Sequence, residues 1–463
     1  MISTFVDREP ELELLEREWA GSGAKLIVMY GRRRIGKTRL LLEFIEGREG
    51  IFYIAADSAP KQQIEELKEK MAEHLRDPLL AQLEIGNWDQ LFEYFVKNVP
   101  DKRVYLVIDE FSYLIRSDKT LPSTLQRLWD LQFSNTNIFI VLSGSLLGLM
   151  HEKVLSHSSP LYGRRSRDIL LDKLPFSFTG NFVGMDFEDR AKLYMTIGGV
   201  PEYLLKASEY EKFTDFIELE FFRKDGYFYR EPYFIISQEF KELKTYFSIL
   251  NAIAYGGTRP GEIANAVGVD ARKIYPYLDN LIRLGFVERT VPITGSGKAG
   301  IYMIRDNLFD FWFNFVHRHR ERIERGDSVL QESDLSGYFG KRFEILVRDD
   351  LFNHIPASNR FDRIGTWWHR DKEIDLVALN RDSREILFIE CKWKTMSFRD
   401  AKRELGRLEG KSEHVLWDSN RKDFGLIAKS IDKKEDLREL GYLVVDLEDF
   451  RSLIPGVPRT PET

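Results

Sequence analysis

Eight consecutive residues, Gly31-Arg32-Arg33-Arg34-Ile35-Gly36-Lys37-Thr38, have the types and spacing of a phosphate cradle. The two glycines let backbone N–H groups curl around phosphate oxygens. A helix beginning at Thr38 adds the partial positive charge of its N-terminus. Lys37 has the reach and charge to meet β- and γ-phosphates, and the Thr38 hydroxyl is a hard-oxygen ligand for Mg2+. The set expected around the phosphates is Gly31, Arg34, Ile35, Gly36, Lys37, Thr38 and Arg39. Further on, Val104-Tyr105-Leu106-Val107-Ile108-Asp109-Glu110 delivers two acids at the end of an apolar run. Asp109 is expected to hold Mg2+ and Glu110 to orient or deprotonate an attacking water. Ser143, at the end of another such run, is placed to sense the γ-phosphate. Arg164 and Arg165 are either charge-stabilising arginines, supplied in cis or by a neighbour, or a surface pair bound to acids.

A second constellation lies far downstream. Glu373-Ile374-Asp375-Leu376-Val377-Ala378-Leu379 alternates as a strand, and Ile386-Leu387-Phe388-Ile389-Glu390-Cys391-Lys392-Trp393 follows a polar turn. Side chains alternate along a strand, so Glu390 and Lys392 share a face and Cys391 takes the other. Asp375 and Glu390 suit a hard divalent cation, with Glu344 from a preceding helix as a further ligand. Lys392 suits the orientation of water and the offset of phosphate charge, so the expected chemistry is metal-dependent phosphodiester hydrolysis with Mg2+, or Mn2+ in its place. Trp367, Trp368 and His369 precede Asp375 and are read as packing residues rather than base-stacking ones.

These groups need a scaffold. Lys25 to Tyr30, Ile51 to Ile54, Val104 to Ile108 and Asn137 to Leu142 are continuous apolar runs separated by helical patterns. Such runs imply a parallel sheet covered on both faces. From Ser166 to Phe240 the pattern is mostly helical. Residues 241–305 read as helices and a hairpin. There Asp270 is expected to cap a helix running to Leu284, with Pro276 kinking it or removing a hydrogen bond. Residues 306–335 read as an aromatic and then charged helix, and strands return in 336–454.

The chain of 463 residues has 68 Lys plus Arg, 74 Asp plus Glu and a formal charge of −6. That balance argues against a uniformly DNA-coating protein and leaves room for local basic surfaces. One Cys excludes a disulfide framework and a Cys-based zinc site. No apolar run is long enough to span a bilayer, and the opening segment lacks a signal-peptide pattern, so a cytoplasmic protein without a membrane partner is expected.

Phe5-Val6-Asp7-Arg8-Glu9, the triple-arginine cradle, Asp109-Glu110, Ser159 to Arg165 and Gly198-Gly199-Val200-Pro201 together resemble the archaeal ATPase family of AAA+/STAND-type P-loop proteins. The resemblance implies ATP and ADP as ligands and Mg2+ as cofactor. It also implies that the Phe5-to-Glu9 segment lies near the adenine, that Gly198 to Pro201 belong to a helical lid, and that self-association is open. The Asp375, Glu390 and Lys392 segment is similar to the PD-(D/E)XK, restriction-endonuclease-like superfamily, which implies DNA cleavage.

The expected fold is therefore an α/β multidomain chain. It comprises a P-loop NTPase core in 1–165, a helical lid in 166–240, a winged helix-turn-helix in 241–305, a linker helix in 306–335, an α/β restriction-endonuclease-like domain in 336–454, and a loose tail in 455–463. Arg272, Lys273, Asn280 and Arg283, with Lys298 in the wing, give the winged helix a modest basic face. That module either touches DNA or only packs. From Lys392 to Lys411 seven basic residues face three acids, a local excess suited to phosphates. The alternative is a STAND-like regulatory switch whose C-terminal part binds DNA or protein without cutting.

Overall fold

The computed structural model describes residues 5–295, 300–327 and 332–454, so Lys298 and the tail 455–463 lie outside the described residues. The chain divides into two compact units, Met1–Lys173 with Val200–Glu202, and Leu174–Gly199 with Tyr203–Thr463.

In the first unit, β1 (Lys25–Tyr30), β2 (Gly50–Ile54), β3 (Val104–Asp109), β4 (Ile138–Gly144) and β5 (Arg167–Leu170) form one sheet in the order β2-β3-β4-β1-β5. Every pairing is parallel. The apolar strands are buried because helices such as Trp88–Asn98 and Leu121–Leu131 cover them, and Leu26, Val28, Ile108 and Leu142 join Phe92, Phe95 and Leu128 in one core. β5 carries the sheet past Arg165, where the sequence pattern suggested that the core ends. Only Ile169 of its four residues is buried, so its apolar signal is faint.

The second unit begins with helices, among them Phe187–Ile197 and Tyr227–Glu239. Leu243–Ala254, Pro260–Val267 and Ile274–Arg283 follow, and then an antiparallel hairpin of β6 (Val287–Thr290) and β7 (Ile301–Ile304). The third of these helices starts three residues later than expected. Asp270 caps a turn instead, its carboxylate accepting from the Arg272 N–H at 2.7 Å. Pro276 consequently falls in the first helical turn, where its missing N–H would have had no helical partner, and it does not interrupt the helix interior. The aromatic segment is also subdivided, into Asn307–Phe311, a π-helical turn Trp312–His317, and Arg320–Arg325. Its rings are buried core, and the Trp312 indole N–H donates to the Tyr229 carbonyl at 2.9 Å.

The C-terminal part opens with the helix Glu332–Asp349. Its mixed sheet has the order β12-β11-β10-β9-β8, built from β8 (Arg363–His369), β9 (Lys372–Asn380), β10 (Glu385–Met396), β11 (Arg421–Ile431) and β12 (Leu443–Asp446). β8, β9 and β10 pair antiparallel, while β10, β11 and β12 pair parallel. The loop after β6 is fastened to this sheet. The Ile293 N–H donates to the Thr366 carbonyl at 2.9 Å, and the Ile293 side chain is buried with Trp367, Ile374, Val377 and Phe388. Among the described residues no helix is long and apolar enough to cross a membrane.

Candidate nucleotide site and C-terminal carboxylate site

β1 runs directly into the cradle, and the helix Lys37–Ile45 leaves it. At Gly31 a Cβ would lie 2.4 Å from the Leu171 carbonyl oxygen, so only glycine fits there. Gly36 has φ +96°, a left-handed conformation that glycine adopts at little cost. Arg34 is also left-handed at φ 68°, and its Nε lies 3.4 Å from a Glu202 carboxylate oxygen. The buried Lys37 ammonium donates to the carbonyls of Gly31 at 2.9 Å and Arg32 at 3.0 Å. Ile35 is buried, and its carbonyl accepts from Arg8, which also donates to the Asp172 carbonyl. Arg33 donates to the Tyr113 hydroxyl. Arg39 turns outward on its helix and pairs with Glu43.

Because β4 lies between β1 and β3, the cradle and the acids of β3 come from strands that do not touch each other. They nevertheless meet, as the Thr38 hydroxyl donates to the Asp109 carboxylate at 2.5 Å. Asp109 is 1% exposed. Glu110 is left-handed at φ 54°, and its carboxylate accepts from the Ser145 hydroxyl at 2.5 Å.

In the C-terminal sheet, two departures from regular pairing position the acids. Between the pairs Gly365↔Val377 and Trp367↔Ile374, one residue of β8 faces both Asp375 and Leu376 of β9. Such a bulge re-aims the side chains it carries. On its other edge β9 pairs with β10 only as far as Leu376↔Ile389, so the strands separate where Asp375 and Glu390 would come next. In place of a strand pairing, the Cys391 N–H donates to the Asp375 carboxylate at 2.7 Å. The Lys392 ammonium lies 3.1 Å from Asp375 Oδ2 and 2.7 Å from Glu390 Oε2. Lys411, from the helix Phe398–Ser412, reaches Glu390 Oε1 at 2.6 Å.

The electrostatics follow from this burial. Burial, and then the charge of Asp375, push the Glu344 carboxyl up to about 8. Burial, and then Glu390, push Asp375 up to about 7. Burial also works against ionisation of Glu390, yet Lys392 and Lys411 outweigh it and hold that carboxyl below its ordinary value. Among the described residues no three His, Cys, Asp or Glu side chains are grouped to hold a metal ion. Glu344 is thus an electrostatic neighbour rather than the third ligand expected from the sequence. The oxygens of Asp375 and Glu390 converge on one cation, the Lys392 ammonium.

The ATPase domain found predominantly in Archaea matches residues 5–207, and a family described as archaeal and bacterial proteins of unknown function matches 312–404. An uncharacterized protein of Methanocaldococcus jannaschii is 36% identical over 456 residues, covering 96% of this chain and 100% of its own. The chain belongs to the archaeal ATPase family. An uncharacterized ATP-binding protein of the same organism is 52% identical over 48 residues, 10% of this archaeal ATPase and 81% of that protein. Among solved structures, a Walker-type ATPase of Pyrococcus abyssi is 21% identical with a TM-score of 0.47, covering 67% of this archaeal ATPase and 96% of that chain. The Aeropyrum pernix ORC2 protein is 15% identical with a TM-score of 0.43, covering 70% and 96%.

The remaining residues singled out in the sequence of this archaeal ATPase are placed as follows. Ser143 is fully buried inside β4 beside Met29, and its hydroxyl has no hydrogen-bond partner among the described residues. Ser145, two residues on, makes the contact to Glu110 instead. Arg164 forms a two-pronged pair with Asp130 at 2.7 and 2.8 Å, and Arg165 pairs with Asp168 and donates to the Leu155 carbonyl. Both are engaged with acids. Trp367 and Cys391 are buried core. Asn280 donates to the Tyr246 hydroxyl and accepts from Arg283. In the sequence Lys411 is one of a run of basic residues; its ion pair with Glu390 depends on a helix folding back over β10.

Proposed function

We propose that this protein couples ATP hydrolysis to a second, metal-dependent phosphodiester-cleaving site that acts on DNA. At the first site Lys37 exchanges the Gly31 and Arg32 carbonyls for phosphate oxygens. Glu110 accepts the proton of the attacking water, and Ser145 holds that carboxylate until substrate competes for it. Thr38 and Asp109 would hold Mg2+, which when bound offsets the charge of the transferring phosphoryl group. The reading assigns the helical lid, expected in 166–240, to the part of that range after β5, 241–305 to a winged helix, and 336–454 to the nuclease domain.

The observation that carries the second activity is the shared grip of Asp375 and Glu390 on Lys392, two nearly buried carboxylates aimed at one cation. These two would hold Mg2+ or Mn2+, which when bound polarises the phosphodiester. Lys392, displaced from between the carboxylates, donates to the phosphate or orients water. Lys394, Arg399 and Lys402 are exposed nearby in sequence and suit a DNA backbone. The test is incubation of plasmid, single-stranded and branched DNA with Mg2+ or Mn2+. Cleavage that disappears in Asp375→Ala supports the proposal. Coupling is tested with and without ATP in wild type and Lys37→Ala, and identical cleavage rates in all four conditions discard it.

One observation favours the second reading, a STAND-like switch that binds DNA or protein without cutting. The loop after β6 is packed into the C-terminal core by Ile293, which suits a packing module better than a free DNA-reading wing. Persistent ATP turnover with no cleavage of any of the three DNA forms selects this reading.

A further inference from the structure

A cavity of about 520 Å3 lies in the second unit, bordered by the end of the helix Leu243–Ala254, by β7, by residues between Asp310 and His319, and by the helix Glu332–Asp349. Its size is that of pockets that take small organic ligands. Arg342 and Asp310 both line it. Arg342 is 3% exposed, yet its guanidinium is poorly satisfied. One terminal nitrogen reaches the Ile304 carbonyl at 3.3 Å and the Asp310 carboxylate at 3.4 Å, both near the limit of a hydrogen bond. Nε has no partner among the described residues. A buried guanidinium left in this state costs stability unless another acceptor completes it, and Arg342 is among the residues that line the cavity.

The rest of the lining indicates what kind of ligand. Phe315 and Tyr338 meet edge to face at 5.2 Å and offer ring surface. Arg342 and Asp310 offset each other, which leaves Lys341 and Arg318 against Asp334, a balance of one positive charge. We infer that this cavity binds a small organic anion carrying a planar ring, of which a nucleoside monophosphate is the simplest representative, at a site separate from Lys37. The ring packs on Phe315 and Tyr338, and the anion pairs with the Arg342 guanidinium with Lys341 beside it. The position also suggests a consequence, which rests on the reading of Asp375 and Glu390 as a site. Arg342 and Glu344 are two residues apart on one helix and point to roughly opposite faces. A ligand that draws on Arg342 therefore bears on the helix that carries Glu344 toward Asp375.

The test uses the full chain carrying Lys37→Ala, so that the first site does not compete. AMP, adenosine and inorganic phosphate are titrated by calorimetry. Saturable AMP binding is expected, tighter than that of either fragment, and weakened about tenfold by the further change Lys341→Ala. Arg342→Lys, which keeps the charge and loses the fork, should weaken it at least as much. Lys341 is exposed, so its variant reports binding rather than folding. No saturable AMP binding, binding unchanged in both variants, or phosphate binding as tight as AMP each overturns the inference. None of these measurements depends on DNA cleavage.

Discussion

Replacing Lys392 by Ala removes the ammonium that both Asp375 and Glu390 hold and leaves two nearly buried carboxylates side by side. Removing one partner of a buried ion pair typically costs about 3–5 kcal/mol. The Lys392 side chain is 25% exposed, and Lys411 still neutralises one oxygen of Glu390, so a loss of about 2–3 kcal/mol is expected at pH 8. For a unit of this size that lowers the unfolding midpoint by roughly 4 °C. The loss must depend on pH, with a definite sign. Asp375 already has its folded pKa raised to about 7, and loss of the ammonium raises it further. A carboxyl with a raised folded pKa contributes fully at low pH and loses that contribution as pH rises through the folded value. Thermal unfolding of the variant should therefore approach wild type at pH 6 and fall behind at pH 8. Adding Glu390→Gln to Lys392→Ala removes one of the opposed charges and should recover about 1 kcal/mol or more at pH 8. An equal deficit at both pH values, with no recovery in the double variant, would refute the account of a lysine holding two acids together.

Ser145→Ala should leave nucleotide affinity intact and change the ATP turnover rate several-fold, because it frees Glu110 without touching the cradle; steady-state kcat and KM measured separately check this. Glu344→Gln should stabilise the protein more at pH 8 than at pH 6, since it removes a carboxyl whose pKa of about 8 makes ionisation costly in the fold, and thermal unfolding at the two pH values reads it. Ile293→Ala should cost about 2–4 kcal/mol in urea denaturation, as expected for a large side chain buried against Trp367 and Ile374.

What was legible in the sequence depended on how local the signal was. The cradle could be read because its glycines, Lys37 and Thr38 are contiguous and lie between a strand and a helix pattern. Asp375, Glu390 and Lys392 could be read because strand alternation places Glu390 and Lys392 on one face. Their meeting with Asp375 also needs the β8–β9 bulge and the parting of β9 from β10, neither of which leaves a mark in residue types. Ser143 and Ser145 share a strand end and a chemical type, and only the course of the chain after Gly144 decides which reaches Glu110. The position of Pro276 follows from a three-residue shift in helix start, a matter of which turn Asp270 caps. β5 has a single buried residue and so carries almost no pattern. The attachment of Ile293 is a long-range contact, invisible to any window of sequence.

That attachment bears on how the polypeptide can be dissected. A fragment starting at Tyr338 would contain every strand of the mixed sheet, yet it would lack the isoleucine that covers Trp367 and the backbone donor that satisfies Thr366. Such a piece would expose an indole and an orphaned carbonyl to water, inviting aggregation. Residues upstream of the sheet therefore belong to its minimal foldable fragment, and excision at a point before Val287 would keep the hairpin with the sheet it completes.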